Sequence, residues 1–265
     1  MLPVINASIL EGFGSLVIVW SSGISIMTVK SFDTRQEGVY LGITTALTAT
    51  LLFYSIGPLT GGHFNPIVSL STGVNGLISF RRAFSYAISQ FLGAIAGGVL
   101  VSFTLGHKSA SLVKYGCLVG EGFGLLQAFL LEFMSCFITL YCLYELGLSG
   151  RKETDYGASL MPFLSGTIIG LVVFIGSGFP GESYSGSNGF PQRCMGLAIG
   201  TWGLHQDDWI YIAPNLVSLL LHALMYNYVL KKPEKLIEIK EITLPIFGPM
   251  MIQNPFEKDK IQTFN

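Results

Sequence analysis

Six stretches of this chain are apolar and approach the twenty or so residues that a helix needs to cross a hydrocarbon layer. They cover about 5–28, 40–56, 83–105, 122–146, 160–175 and 210–230. Two more apolar stretches, 65–77 and 190–200, are too short to cross. The first of these begins Asn65-Pro66-Ile67. Asn is among the strongest helix N-caps, and Pro suits the first helical position, where its missing N–H would be unsatisfied anyway. A half-helix starting at mid-depth must bury its irregular approach in protein or line a cavity with it. Its positive end then faces that cavity. The pattern predicts an all-α membrane protein with six transmembrane helices and two re-entrant half-helices.

Composition narrows the function classes. Half of the 265 residues are hydrophobic and 12% are charged, about half the share of a soluble domain. The formal net charge is −1, so no basic excess points to nucleic acid. Cys117, Cys136, Cys142 and Cys194 show no paired metal-ligand spacing and no disulfide framework. Cys136 and Cys142 lie within an apolar segment, where inert buried thiols are the default. Four histidines and scattered acids form no metal or triad constellation, so no enzyme activity, metal or cofactor is expected. The first apolar run is long and lacks a basic leader, so it reads as a spanning helix rather than a cleaved signal.

Basic residues set the expected topology. Arg81 and Arg82, then Arg151 and Lys152, then Lys231, Lys232 and Lys235 follow alternate crossings. Both termini are therefore expected in the cytoplasm. Lys30, Arg35, Lys108 and Lys114 are spread more thinly on the other side, beside Asp33 and Glu37. Residues 1–230 read as one channel-like domain, with 231–265 a soluble cytoplasmic tail. Its halves, about 5–105 and 122–230, resemble each other. Glu11 and Glu132 each place a carboxylate in an apolar helix; Asn65 stands 25 residues before Gln90, and Phe190 25 before Asn215. Three spans per half make the repeat inverted, an arrangement that puts solute sites near the midplane on discontinuous helices.

These motifs resemble those of the aquaporins and aquaglyceroporins over about residues 5–230. Ser55-Ile56-Gly57 through Gly61-Gly62-His63-Phe64-Asn65-Pro66-Ile67 is similar to the family's first pore motif, with Ile67 where Ala is usual. Tyr184 through Gly196 resembles the second pore loop, with Phe190-Pro191-Gln192 replacing the usual Asn-Pro-Ala. Glu11, Glu132, Gln90, Arg193 and Pro214 fall where the family places such residues. The resemblance implies six tilted helices, half-helices meeting mid-membrane, and a homotetramer with one pore per subunit. By family register, the outer constriction combines Arg193 with Thr45, Gly178 and Ser187, Gly176 being the other candidate for the third position. Aromatic and His side chains are absent from the other three, so the constriction reads as wide and polar. Cys194 follows Arg193 where glycerol channels carry Asp.

A pore for neutral solutes needs a narrow path, a few polar groups and a barrier to ions. Asn65 offers a midplane amide, and the loop carbonyls of 60–64 and 185–189 an acceptor ladder. Arg193 can donate to a solute and repel cations, since a lone arginine within a membrane is costly unless it has a function. Glu11 and Glu132 are read as scaffolds that accept hydrogen bonds from the loops, and His63 as lining the inner vestibule or as a packing residue. Phe190 removes an amide from the midplane. It either faces the path, narrowing or dewetting it, or packs between helices; Asn188 is the candidate substitute amide. The expected function is a passive channel for water and small uncharged solutes such as glycerol or urea, held in a lipid bilayer. The rival readings are a poorly conducting relative with a structural or adhesive role, suggested by Phe190, and a secondary transporter.

Overall fold

In the computed structural model, the described residues are 1–32, 34–106, 117–120, 122–148, 159–177 and 184–230. The long helices are α1 (Val4–Lys30), α2 (Glu37–Ser55), α5 (Phe80–Leu105), α6 (Leu125–Leu143), α7 (Met161–Ser177) and α9 (Ala213–Met225). A single turn, α3 (Gly57–Thr60), precedes the first half-helix, α4 (Pro66–Val74); the second half-helix is α8 (Pro191–Gly200). A π-turn continues α6 over Tyr144–Leu148, and another continues α9 over Tyr226–Leu230. A 3-10 turn, Asp208–Tyr211, leads into α9. Five of these segments are long and apolar enough to span a membrane, and α7 has 17 residues. At about 1.5 Å per residue α7 is near 26 Å long, just short of a typical hydrocarbon core.

Polarity is distributed for lipid rather than for water. Ile5, Ile9 and Phe13 on α1 are 73%, 62% and 52% exposed, a stripe at helical spacing that faces outward. Ile43, Leu47 and Leu51 repeat this on α2, and Leu216, Leu220 and Leu224 on α9. Glu11, Gln90, Glu132 and Asn215 are instead fully buried. Such groups survive in a membrane interior only where protein satisfies them.

Small residues let the helices approach closely. α1 packs on α5, and α2 on α7. A Cβ on Gly93 would overlap the Gly12 carbonyl oxygen, and one on Gly98 would overlap that of Gly196. The second contact seats α8 against α5, a helix of the opposite half. The first half-helix likewise packs on α9 of the opposite half as well as on α5. Each half-helix is thus wedged against both halves.

Two findings depart from the sequence reading. Cys117 and Cys194 form a disulfide, with Cα atoms 5.5 Å apart across 77 residues of sequence. Spacing alone could not show it, because the fold makes the juxtaposition. There is also a minimal sheet: β1 (Leu118–Val119) pairs antiparallel with β2 (Tyr184–Ser185). The tail 231–265 and the basic residues Lys108, Lys114, Arg151 and Lys152 lie outside the described residues, as do Asp33 and Gly178.

Candidate pore and its lining

Each pore loop is held by one buried carboxylate. Four donors converge on Glu11: Thr60 Oγ1 at 2.5 Å and the His63 N–H at 3.1 Å on Oε1, the Phe64 N–H at 2.6 Å and Gln90 Nε2 at 2.8 Å on Oε2. In the second half the Ser187 hydroxyl donates to Glu132, joined by the Asn188 N–H at 3.2 Å and Asn215 Nδ2 at 3.5 Å. The loops need this hold because their backbones are contorted. Phe64, just before Asn65, has φ +48°, and Gly189, just before Phe190, has φ +83°. A bulky residue in the left-handed region costs on the order of 1–3 kcal/mol and persists only where its surroundings fix it.

The half-helices begin differently. Asn65 caps α4, its Oδ1 accepting the Ile67 N–H at 2.9 Å. Phe190 occupies the same position on α8 and has no side-chain cap bond. Pro66 and Pro191 each stand first in their helices. Asn65 Nδ2 reaches across and donates to the Gly189 carbonyl at 2.7 Å. The reciprocal bond comes from Gln192, whose Nε2 donates to the Phe64 carbonyl at 2.9 Å. A Gln two residues into the helix thus makes the cross-half link that an amide at position 190 would otherwise supply. The sequence reading missed this role; the signal was a long amide two positions after an apolar cap.

Asn188 is also displaced from simple expectation. It has φ +54° and is 1% exposed, and neither polar atom of its side-chain amide has a hydrogen-bond partner among the described residues. Its side chain lies against Gly176, where any Cβ would overlap its oxygen. His63 is buried, its Nδ1 3.1 Å from Ser69 Oγ and its ring edge-on to Tyr86.

On the side where α1 ends, a small cavity collects the remaining residues. Thr45, Ser187, Arg193 and Phe190 all line it. Arg193 is 5% exposed; Nη1 donates to Ser22 Oγ at 3.3 Å and Nη2 to the Gly186 carbonyl. Ser21 and Ser25 on α1 and Thr44 and Thr48 on α2 add hydroxyls to the wall. Their four-residue spacing inside apolar segments was a legible signal that went unread. Ile18, Ala49, Ile169 and Val173 form the apolar part. The Phe190 ring is 4% exposed and also belongs to the central apolar cluster with Ile67 and Ile169. Phe190 thus both borders the cavity and packs in the apolar cluster.

A bundle of membrane-length helices with two half-helices meeting inside it, and beside their junction a cavity that combines apolar, hydroxyl and arginine side chains, defines a membrane channel. Comparison with known proteins makes the class specific. Residues 2–226 match the major intrinsic protein family, and the chain belongs to that family. It is 27% identical over 229 residues to a probable aquaporin TIP-type alpha of Phaseolus vulgaris, covering 84% of each chain. It is 27% identical over 256 residues to aquaporin A of Dictyostelium discoideum, covering 90% of this chain and 84% of that one. The aquaglyceroporin from Plasmodium falciparum has the same fold, with a TM-score of 0.68 at 18% identity over 86% of this chain and 97% of its own. The protein is an integral membrane channel, a passive conduit for water and small solutes rather than an enzyme.

Proposed function

We propose that water, with small uncharged solutes such as glycerol and urea, crosses through one pore per subunit that descends from the hydroxyl-lined cavity past Phe190 to Asn65. The carrying observation is that Thr45, Ser187, Arg193 and Phe190 line a single cavity. In this reading Arg193 donates to the passing solute and repels cations, and Thr45 and Ser187 widen the constriction. Hydroxyl walls replace lost water contacts along one side of the path while the apolar side keeps binding weak. Asn65-Pro66-Ile67 and Phe190-Pro191-Gln192 present two helix N-termini to the midplane, a positive field that disfavours cations. Asn65 is then the amide at the midplane, and Gln192 takes the place sought for Asn188, which packs against Gly176. Glu11 and Glu132 are scaffolds, and His63 borders the inner vestibule.

The proposed assembly is a homotetramer in a lipid bilayer with both termini cytoplasmic. The disulfide supports that orientation independently of the basic residues. Disulfides persist in oxidising compartments, and Cys194 directly follows Arg193, which lines the cavity on the side where α1 ends. Osmotic shrinkage of proteoliposomes in sucrose, then re-swelling in glycerol or urea, tests the pore. Rates equal to those of empty liposomes would instead favour the reading of Phe190 as a plug in a poorly conducting relative.

A further inference from the structure

We infer that the Cys117–Cys194 disulfide is a positioning device for the Arg193 guanidinium, fixing the cation barrier at the outer constriction. The inference rests on the pore reading above and goes beyond it by naming what holds Arg193.

Three connections close a small ring around that side chain. Cys194 directly follows Arg193 and is bonded to Cys117. Cys117 directly precedes Leu118, which pairs with Ser185 across the β1–β2 ladder. Ser185 directly precedes Gly186, whose carbonyl accepts Arg193 Nη2. The backbone that carries the arginine and the carbonyl that receives its guanidinium are therefore tied to one another by the disulfide and the ladder.

The internal repeat explains why the second half has such a clamp. Ser69 stands four residues after Asn65, as Cys194 stands four after Phe190. Ser69 holds the first half-helix: its hydroxyl donates to Gln90 Oε1 at 3.1 Å and pairs with His63 Nδ1 at 3.1 Å. That half-helix also has its Asn65 cap. The second has no side-chain cap, and at the same register it carries a covalent bond. The bond is sheltered: Cys194 is 1% exposed and clusters with Ala128, Ile210 and Tyr211. A sheltered, permanent crosslink suits positioning rather than a cycle of reduction.

The test uses full-length protein in liposomes and four forms: wild type, C117S/C194S, Arg193→Ala, and the triple variant. Stopped-flow shrinkage in sucrose reads water, and uptake of guanidinium, a small permanent cation, reads the barrier. In C117S/C194S the guanidinium-to-water permeability ratio should rise about tenfold, equivalent to about 1.4 kcal/mol of barrier. Arg193→Ala should give a similar rise, and the triple variant no more than Arg193→Ala alone, because coupled residues are non-additive. An unchanged ratio in C117S/C194S, or a triple variant in which the two effects add, overturns the proposal. Should C117S/C194S not assemble, the variant C117A/C194A, whose small apolar side chains suit the buried cluster, is read in the same way. A wild type with no water permeability above empty liposomes refutes the pore reading itself and takes this proposal with it; a conducting wild type with an unchanged ratio refutes only the positioning role.

Discussion

Replacing Glu11 by Gln changes one atom in a fully buried site where four donors and no acceptor meet the carboxylate. A carboxylate accepts all four. A carboxamide oxygen can keep two, and the new NH2 then faces the other two donors. Hydrogen bonds to charged groups contribute about 1.5–3 kcal/mol each, so two lost bonds cost roughly 3–6 kcal/mol. For a chain of this size each kcal/mol moves the unfolding midpoint by about 2–4 °C, so a fall of roughly 6–24 °C is expected. Thermal unfolding of the purified protein in detergent reads the shift, and proteoliposome permeability reads the loop. Permeability should fall along with stability, because the His63 and Phe64 backbone that borders the path loses its anchor. A midpoint within about 2 °C of wild type, well below what two lost bonds imply, with normal permeability, would refute the scaffold argument.

Other substitutions test neighbouring parts of the account. Phe190→Ala should raise osmotic permeability while lowering stability by about 3–5 kcal/mol, the usual cost of deleting a buried ring; a loss of stability with no gain in permeability would remove Phe190 from the path. Gln192→Leu leaves the Phe64 carbonyl without its amide partner, costing about 1–3 kcal/mol on thermal unfolding; an unchanged midpoint would deny the cross-half bond. Gly93→Val drives a side chain into the Gly12 carbonyl and should abolish folded protein in size-exclusion chromatography, whereas a wild-type profile would show that α1 and α5 can separate. Asn65→Ala removes both the cap and the bond to Gly189, for about 2 kcal/mol in all, again read as a fall in the unfolding midpoint.

Much of the architecture was legible because lipid imposes a simple grammar. Apolar segments near twenty residues gave the spans, with ends displaced by a few residues: α1 begins at Val4 and α5 at Phe80. Asn65-Pro66 marked the start of α4 because cap chemistry is local. The fourth and sixth crossings were less regular than expected. Each of α6 and α9 ends in a π-turn, and Asp208–Tyr211 forms a separate 3-10 turn before Pro214. Hydropathy does not register such changes in winding. The contacts that had to be discovered are those between distant parts of the chain. Gln192 and Phe64 are 128 residues apart and Cys117 and Cys194 are 77 apart, and neither pairing leaves a periodic trace. Gln192 was visible as a departure from the family motif, but its consequence depends on a carbonyl that only the folded loop presents.

Stopped-flow light scattering on proteoliposomes shrinking in sucrose bears most directly on the channel. An open path past Phe190 requires shrinkage faster than in empty liposomes, with a weaker temperature dependence than the lipid route. Traces that match empty liposomes, with incorporation and folding verified, would contradict it.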